Sequence, residues 1–291
     1  VKALTSILLL TACLIAQAAD KPVIRTGKVS KVDPATGMAT LQLRAAGASA
    51  TSEFEPTPIV VRFPLGDVKV GYSGREISLH LITTPEGSRY ADTIFPHEPE
   101  SLRRMEEITE SLHRETLDKG RLVTRMPNDL MPNMALWDQD GQLVMKKDFL
   151  GSPLALNFIF TSCRSARMCP ASTACMKQLA DLLAKQPAAG KVRLITITFD
   201  PETDSPGLLR TYADGYAIDH GRHRFLTGNP AQIKDLMRHY GIQTLRDDGT
   251  IVHNAALILM TSEGRIMQRR EGAAFDAEDV AKVLVQMASG K

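Results

Sequence analysis

The run Leu154-Ala155-Leu156-Asn157-Phe158-Ile159-Phe160-Thr161-Ser162-Cys163-Arg164-Ser165-Ala166-Arg167-Met168-Cys169-Pro170-Ala171-Ser172-Thr173-Ala174-Cys175 decides how the rest of the chain reads. Its first seven residues are an apolar segment of strand length. A helical pattern opens at Cys169-Pro170, with proline in the first turn, where its missing N–H is not needed. Three cysteines, each six residues from the next, therefore straddle a strand-to-helix turn. Paired thiols at such a turn hold a soft metal or exchange a disulfide; inert burial is the competing explanation.

From that turn outward, strand and helix alternate over residues 127–291. Upstream, 135–137 and 143–145 form a hairpin through Asp138-Gln139-Asp140-Gly141. Downstream come a helix over 170–184, a strand over 192–198, a helix over 206–216, a short segment at 224–226 and a helix over 230–240. A strand over 253–260, the turn Thr261-Ser262-Glu263-Gly264, a strand over 265–269 and a helix over 276–287 complete the chain. A β-α-β-α half followed by a β-β-α half is the thioredoxin arrangement.

Residues 22–86 carry a different pattern. Strands are expected over 23–32, 38–43, 58–63 and 76–83, separated by turn signals such as Asp33-Pro34-Ala35-Thr36-Gly37, Gly66-Asp67 and Gly71-Tyr72-Ser73-Gly74. Within 38–43 the alternation is strict, with Met38, Thr40 and Gln42 opposite Ala39, Leu41 and Leu43. Short strands with regular turns predict a small all-β, OB-like barrel. Residues 87–126 read as a linker, with 85–99 as loop and a helix over 100–119 ended by Gly120. Leu102, Met105, Ile108, Leu112 and Thr116 recur on that helix at helical spacing, so it lies on a neighbour. The expected fold class is an α/β thioredoxin-like domain preceded by the barrel and the linker helix.

The chain has 291 residues, 43% of them hydrophobic, which is ample for a core. A net charge of +2 without a basic block argues against a nucleic-acid partner. Near the start, Lys2 precedes an apolar run, and Ala16-Gln17-Ala18 has the small-x-small form of a signal-peptidase site. The run is too short for a stable transmembrane helix, so 1–18 reads as a secretory signal. Leu10-Thr11-Ala12-Cys13 also fits a bacterial lipobox, which would attach the chain to a membrane through lipid on Cys13. Both readings export the chain to the periplasm or cell envelope and leave three cysteines. An odd count in an oxidising compartment flags a free or metal-bound thiol.

At the helix N-terminus, the dipole favours the Cys169 thiolate, and Arg164 and Arg167 in the same loop push the same way. Cys175 lies about 240° further round the helix, near Leu179 and Leu182. It reads as a small buried hydrophobe, with a third thiolate ligand as the alternative. His253 stands at the mouth of the apolar strand. A lone histidine there is usually structural, but in the thioredoxin arrangement this segment packs against the cysteines. Cys163, Cys169 and His253 would then form a Cys2His set. Two thiolates and one imidazole without a hard oxygen suit Cu(I), or less selectively Zn(II).

Five stretches carry a resemblance: Asn157-Phe158-Ile159-Phe160-Thr161-x-Cys163, Met168-Cys169-Pro170, Thr196-Ile197-Thr198-Phe199-Asp200-Pro201-Glu202-Thr203-Asp204-Ser205-Pro206, Phe225-Leu226-Thr227-Gly228 and Val252-His253-Asn254. Through them, residues from about 127 on resemble the Sco/SenC family of copper-handling thioredoxin-fold proteins. The resemblance implies copper on Cys163, Cys169 and His253, as Cu(I) with Cu(II) as the alternative. It also implies delivery to the copper subunit of a respiratory oxidase or to another copper protein. It gives Asp200 a place beside the site, for support or docking; a strand-end turn former is the competing reading. One departure stands out: five residues separate the cysteines where the family has three. Arg164 and Arg167 occupy that loop, where they attract an anionic partner, disfavour a cation and shift weight toward redox work. Residues 23–84 resemble the CusF-type copper-binding barrels through Gly27-Lys28-Val29-Ser30-Lys31-Val32-Asp33, Gly37, Phe63 and Gly66-Asp67. Those barrels bind metal through methionine, tryptophan and histidine. Ile59-Val60-Val61-Arg62-Phe63 holds none of these, which leaves Met38 and His80 and predicts a barrel without the family-type site.

Three functions stay open at this point. One is a Cu(I) carrier. Another is a thiol–disulfide oxidoreductase in which Cys163 and Cys169 are the catalytic redox pair and keep the cysteines of thiol partners reduced. The third is a thiol peroxidase using Ser162 and Arg164, which leaves His253 and the Asp200 segment unexplained.

Overall fold

The computed structural model describes residues 23–49, 52–247 and 250–290. The signal segment 1–18 and Cys13 lie outside the described residues. In the N-terminal part, β1 (Val23–Val32), β2 (Met38–Leu43), β3 (Ile59–Arg62), β4 (Glu76–Thr83) and β5 (Arg89–Pro96) close a barrel in the order β1-β2-β3-β5-β4. The alternation read in β2 is the reason it can do so. Ala39, Leu41 and Leu43 face inward and meet Val29, Val61, Ile77, Leu79 and Ile94 in one core. A short helix, α1 (Leu65–Val70), fills the connection between β3 and β4, where a turn was expected.

The expected loop over 85–99 is corrected by β5. Its alternation is interrupted at Thr93, whose φ is 48°, beside a register shift between Ser78 and His80 on β4. A bulge of this kind hides a strand from a period-2 reading. The barrel therefore runs to Pro96, past the expected boundary at 86.

The second part is built on a seven-stranded sheet. Its strands are β6 (Ala135–Asp138), β7 (Leu143–Met145), β8 (Leu154–Ile159), β9 (Arg193–Thr198), β10 (His223–Thr227), β13 (Ala256–Met260) and β14 (Ile266–Glu271), in the order β14-β13-β8-β9-β10-β6-β7. β8, β9 and β10 are parallel, and β13 runs antiparallel to β8. α3 (Cys169–Ala184) and α6 (Ala277–Ala288) cover one face through Met176, Leu179, Leu183, Val280 and Leu284. α4 (Pro206–Gly215) and α5 (Pro230–His239) pack with the core that holds Leu156, Phe158, Ile195, Ile197 and Phe225. The expected strand over 253–260 is divided. β11 (Thr244–Asp247) and β12 (Thr250–His253) form a separate two-stranded hairpin, and the sheet strand begins only at Ala256.

The linker helix is α2 (Pro99–Lys119). It buries Met105, Thr109, Leu112 and Thr116, and Gln232 on α5 donates to Thr109 Oγ1 at 2.7 Å. It therefore packs as part of the second unit. The barrel touches that unit at α1. A side chain on Gly66 would overlap the Gly207 carbonyl oxygen, and one on Gly207 would overlap the Asp67 carboxylate, so the first turns of α1 and α4 meet through two glycines. Lys69 pairs with Asp214 at 2.6 Å, and Arg75 reaches the Gly141 carbonyl oxygen at 2.6 Å.

Candidate metal centre

The cysteine turn is set by the ends of two parallel strands. β8 ends at Ile159, and Cys163 donates its N–H to the Phe160 carbonyl oxygen at 3.3 Å. Six residues on, Cys169 occupies the first turn of α3, with Pro170 behind it. His253 comes from the other side, as the last residue of β12. The hairpin is held by Asn254, whose Oδ1 accepts from Gln243 N at 2.8 Å and whose Nδ2 donates to the Gly241 carbonyl oxygen at 3.0 Å. The imidazole lies tilted against Phe199 at 4.7 Å between ring centroids and meets Phe160 edge-on at 5.8 Å. Two aromatic rings thus aim His253 at the thiols.

One sulfur of Cys163, one of Cys169 and one ring nitrogen of His253 all lie within 4.8 Å of one another, the single such cluster among the described residues. Metal–sulfur and metal–nitrogen bonds of about 2.3 and 2.0 Å place a trigonal sulfur and nitrogen roughly 3.7 Å apart and two sulfurs roughly 4.0 Å apart. The three donors need only a small contraction to share one ion. The donor set is soft, with no carboxylate in the cluster.

His253 Nδ1 faces the Asn254 carbonyl oxygen at 2.8 Å. A carbonyl only accepts, so Nδ1 carries the proton and Nε2 presents its lone pair. That nitrogen lies 3.4 Å from Cys169 Sγ. Burial pushes the Cys169 thiol well above its ordinary range and pushes His253 down. Both groups are then neutral, with the thiol proton shared toward Nε2. The expectation of a Cys169 thiolate is corrected here. Cys169 is 1% exposed, and desolvation outweighs the helix terminus. Arg164 and Arg167 are exposed, and the main groups that oppose the shift are backbone N–H groups rather than these guanidiniums. Cys175 is half-buried on α3 and outside the cluster.

Asp200 is buried one residue beyond Phe199, and its N–H donates to Thr198 Oγ1 at 3.0 Å. Burial raises the pKa of Asp204, and the Asp200 carboxylate adds a smaller push in the same direction. Sequence reasoning gave Asp204 no role, although it stands in the quoted motif. It is fully buried and accepts from Thr161 N at 3.1 Å, from Thr161 Oγ1 and from Thr198 Oγ1. Phe160, Phe199 and Asn254 were also missed as aiming residues, though the first two are visible as aromatics at strand ends.

A family model described as SCO1/SenC matches residues 123–289. A SCO1 protein homolog from Bacillus subtilis (strain 168) is 27% identical over 139 residues, which cover 46% of this chain and 70% of that protein. A putative copper-binding protein from Stutzerimonas stutzeri is 27% identical over 157 residues, 52% of this chain and 73% of its own. The chain spans 56% of the mitochondrial SCO2 homologue of Bos taurus and 47% of that of Danio rerio. Among solved structures, a SCO1/SenC family lipoprotein from Bacillus anthracis str. Ames superposes with a TM-score of 0.51 at 23% identity, covering 57% of this chain and 99% of that one. The second unit therefore has the thioredoxin-like fold of that protein. Because the family model covers more than half of the 291 residues, the chain belongs to the SCO1/SenC family.

Proposed function

We propose that this protein carries Cu(I) as cargo between Cys163, Cys169 and His253 and passes it to another copper protein, for which the family resemblance implies the copper subunit of a respiratory oxidase. The observation that supports this most is the convergence of two sulfurs and one imidazole nitrogen within 4.8 Å, from the loop after β8, the first turn of α3 and a hairpin. In the free protein the Cys169 proton sits toward His253 Nε2. A soft cation replaces that proton and gains both donors, so uptake releases protons and weakens as pH falls. Anaerobic titration of the reduced protein with Cu(I) tests the assignment. Cys163→Ser, Cys169→Ser and His253→Ala should each weaken binding; stoichiometric tight binding that survives all three changes would sink it.

The exchange of disulfides is a second reading, favoured by the same proximity of Cys163 and Cys169. Cys163 is its attacking thiol, because it is half-buried while Cys169 is covered and protonated. Copper carriage uses His253 directly, whereas disulfide exchange does not. The same proposal places the mature chain outside the cytoplasm, by the signal or the lipid on Cys13; among the described residues no helix is long and apolar enough to cross a membrane. The barrel is OB-like in this reading. Its order β1-β2-β3-β5-β4 and the helix between its third and fourth strands support that assignment.

A further inference from the structure

The cysteine loop has to hold Cys163 opposite Cys169 across five intervening residues. Arg164, Ser165, Ala166 and Arg167 are all exposed, so the loop itself packs little. What fixes its start is a buried carboxylate from elsewhere in the chain. Asp204, 43 residues beyond Thr161, receives both the backbone N–H and the hydroxyl of Thr161. Its other oxygen contact is the hydroxyl of Thr198, the last residue of β9. Asp204 is itself held in place. Its N–H donates to the Asp200 carbonyl oxygen at 2.9 Å, and the next residue, Ser205, caps α4 by accepting from Leu208 N.

The placement is specific. Thr161 lies two residues before Cys163, and between them the Cys163 N–H closes back on Phe160. Clamping Thr161 at both its N–H and its hydroxyl leaves few torsions between a rigid strand end and the Cys163 sulfur. A buried carboxylate costs desolvation, and here three donors offset that cost. An apolar residue would fill the same space without that cost, so packing alone does not account for a charge at this position.

We infer that Asp204 is a positioning residue for the Cys163 thiol, acting through Thr161. This rests on Cys163 and Cys169 being the working pair, but not on copper being the cargo. The readout is the thiol–disulfide equilibrium against glutathione. In it the Cys163–Cys169 dithiol loses two electrons and two protons, one glutathione disulfide gains them, and two glutathione thiols are released. Asp204→Asn keeps the shape but turns an acceptor into a donor. It should shift that equilibrium constant tenfold or more in the folded protein and weaken Cu(I) binding in the same variant. Thr161→Val should do the same, and Thr161→Ser, which keeps the hydroxyl, should restore the wild-type value. Thr198→Val removes the third donor, which belongs to β9 and not to the cysteine loop; it should lower the melting temperature yet leave the equilibrium within about twofold. If Asp204→Asn does not fold, the Thr161→Val and Thr161→Ser pair decides. An unchanged equilibrium in folded Asp204→Asn and Thr161→Val overturns the inference, as does a shift in Thr198→Val equal to that in Thr161→Val. Absence of Cu(I) uptake by the wild-type protein would instead count against copper carriage, since the thiol equilibrium is read without copper.

Discussion

Replacing Asp67 with asparagine should remove a pH-dependent loss of stability that the barrel contact imposes on the wild-type protein. Asp67 is 2% exposed, its side chain lies against Gly207 on α4, and its Oδ1 has no hydrogen-bond partner among the described residues. Burial pushes its pKa from 3.8 to about 7; its own N–H opposes this and the Asp92 carboxylate adds to it. Because the folded-state value is raised, the folded protein holds this proton more tightly than the unfolded chain. Stability from this group is full below pH 3.8, falls as pH rises, and is lost once pH passes about 7. A shift of roughly three units at about 1.4 kcal/mol each gives an upper limit of ~4 kcal/mol. Asparagine fills the same space without ionising, so any offset from its buried amide is constant with pH. Urea unfolding of both proteins from pH ~4 to pH ~8 reads the effect. The stability difference should move in favour of Asp67→Asn by up to ~4 kcal/mol across that window and level off above pH ~7. A difference that stays flat with pH would refute the reasoning.

Other consequences are equally open to measurement. Gly207→Ala places a methyl group on the Asp67 carboxylate and should cost about 1–3 kcal/mol by overpacking the contact; unchanged unfolding curves would contradict the contact. Iodoacetamide followed by mass spectrometry should label Cys163 at least about tenfold faster than Cys169, because Cys169 is covered and its thiol is raised by burial; equal rates would contradict this. His239 is fully buried, its Nδ1 accepts from Arg125 Nε at 3.1 Å, and Nε2–H therefore donates to Thr116 Oγ1 at 3.0 Å. Burial, with Arg125 adding to it, pushes His239 down from 6.5 to about 4. Its contribution is present above pH 6.5 and lost as pH falls toward 4, so His239→Gln should remove about one proton from the acid-unfolding slope, read by the same urea series.

Much of this architecture is legible in the sequence where burial and period agree. The run 154–160 reads as a central strand because β8 is buried on both faces, and Pro170, Pro206 and Pro230 mark helix starts in α3, α4 and α5. β5 escapes because the turn of the chain at Thr93 breaks its alternation. The β11–β12 hairpin escapes for another reason. Leu245 and Val252 pair across it yet are 66% and 54% exposed, and Ile251 is only partly buried against the core, so the apolar face is too small to mark the strands, and Asn254 supplies the order from outside. The three members of the cluster could be named from residue type and order. Their protonation could not, since the helix terminus at Cys169 is visible in sequence and its burial is not. Asp204 was in view as a motif residue, but its reach to Thr161 depends on two parallel strands ending side by side.

X-ray absorption at the copper edge of the anaerobic protein loaded with one equivalent of Cu(I) tests the central claim most directly. Two sulfur ligands at about 2.3 Å and one nitrogen ligand near 2.0 Å are the predicted shell, with the nitrogen lost in His253→Ala and one sulfur lost in Cys163→Ser. A shell without nitrogen in the wild-type protein, or one left unchanged by both substitutions, would contradict the account.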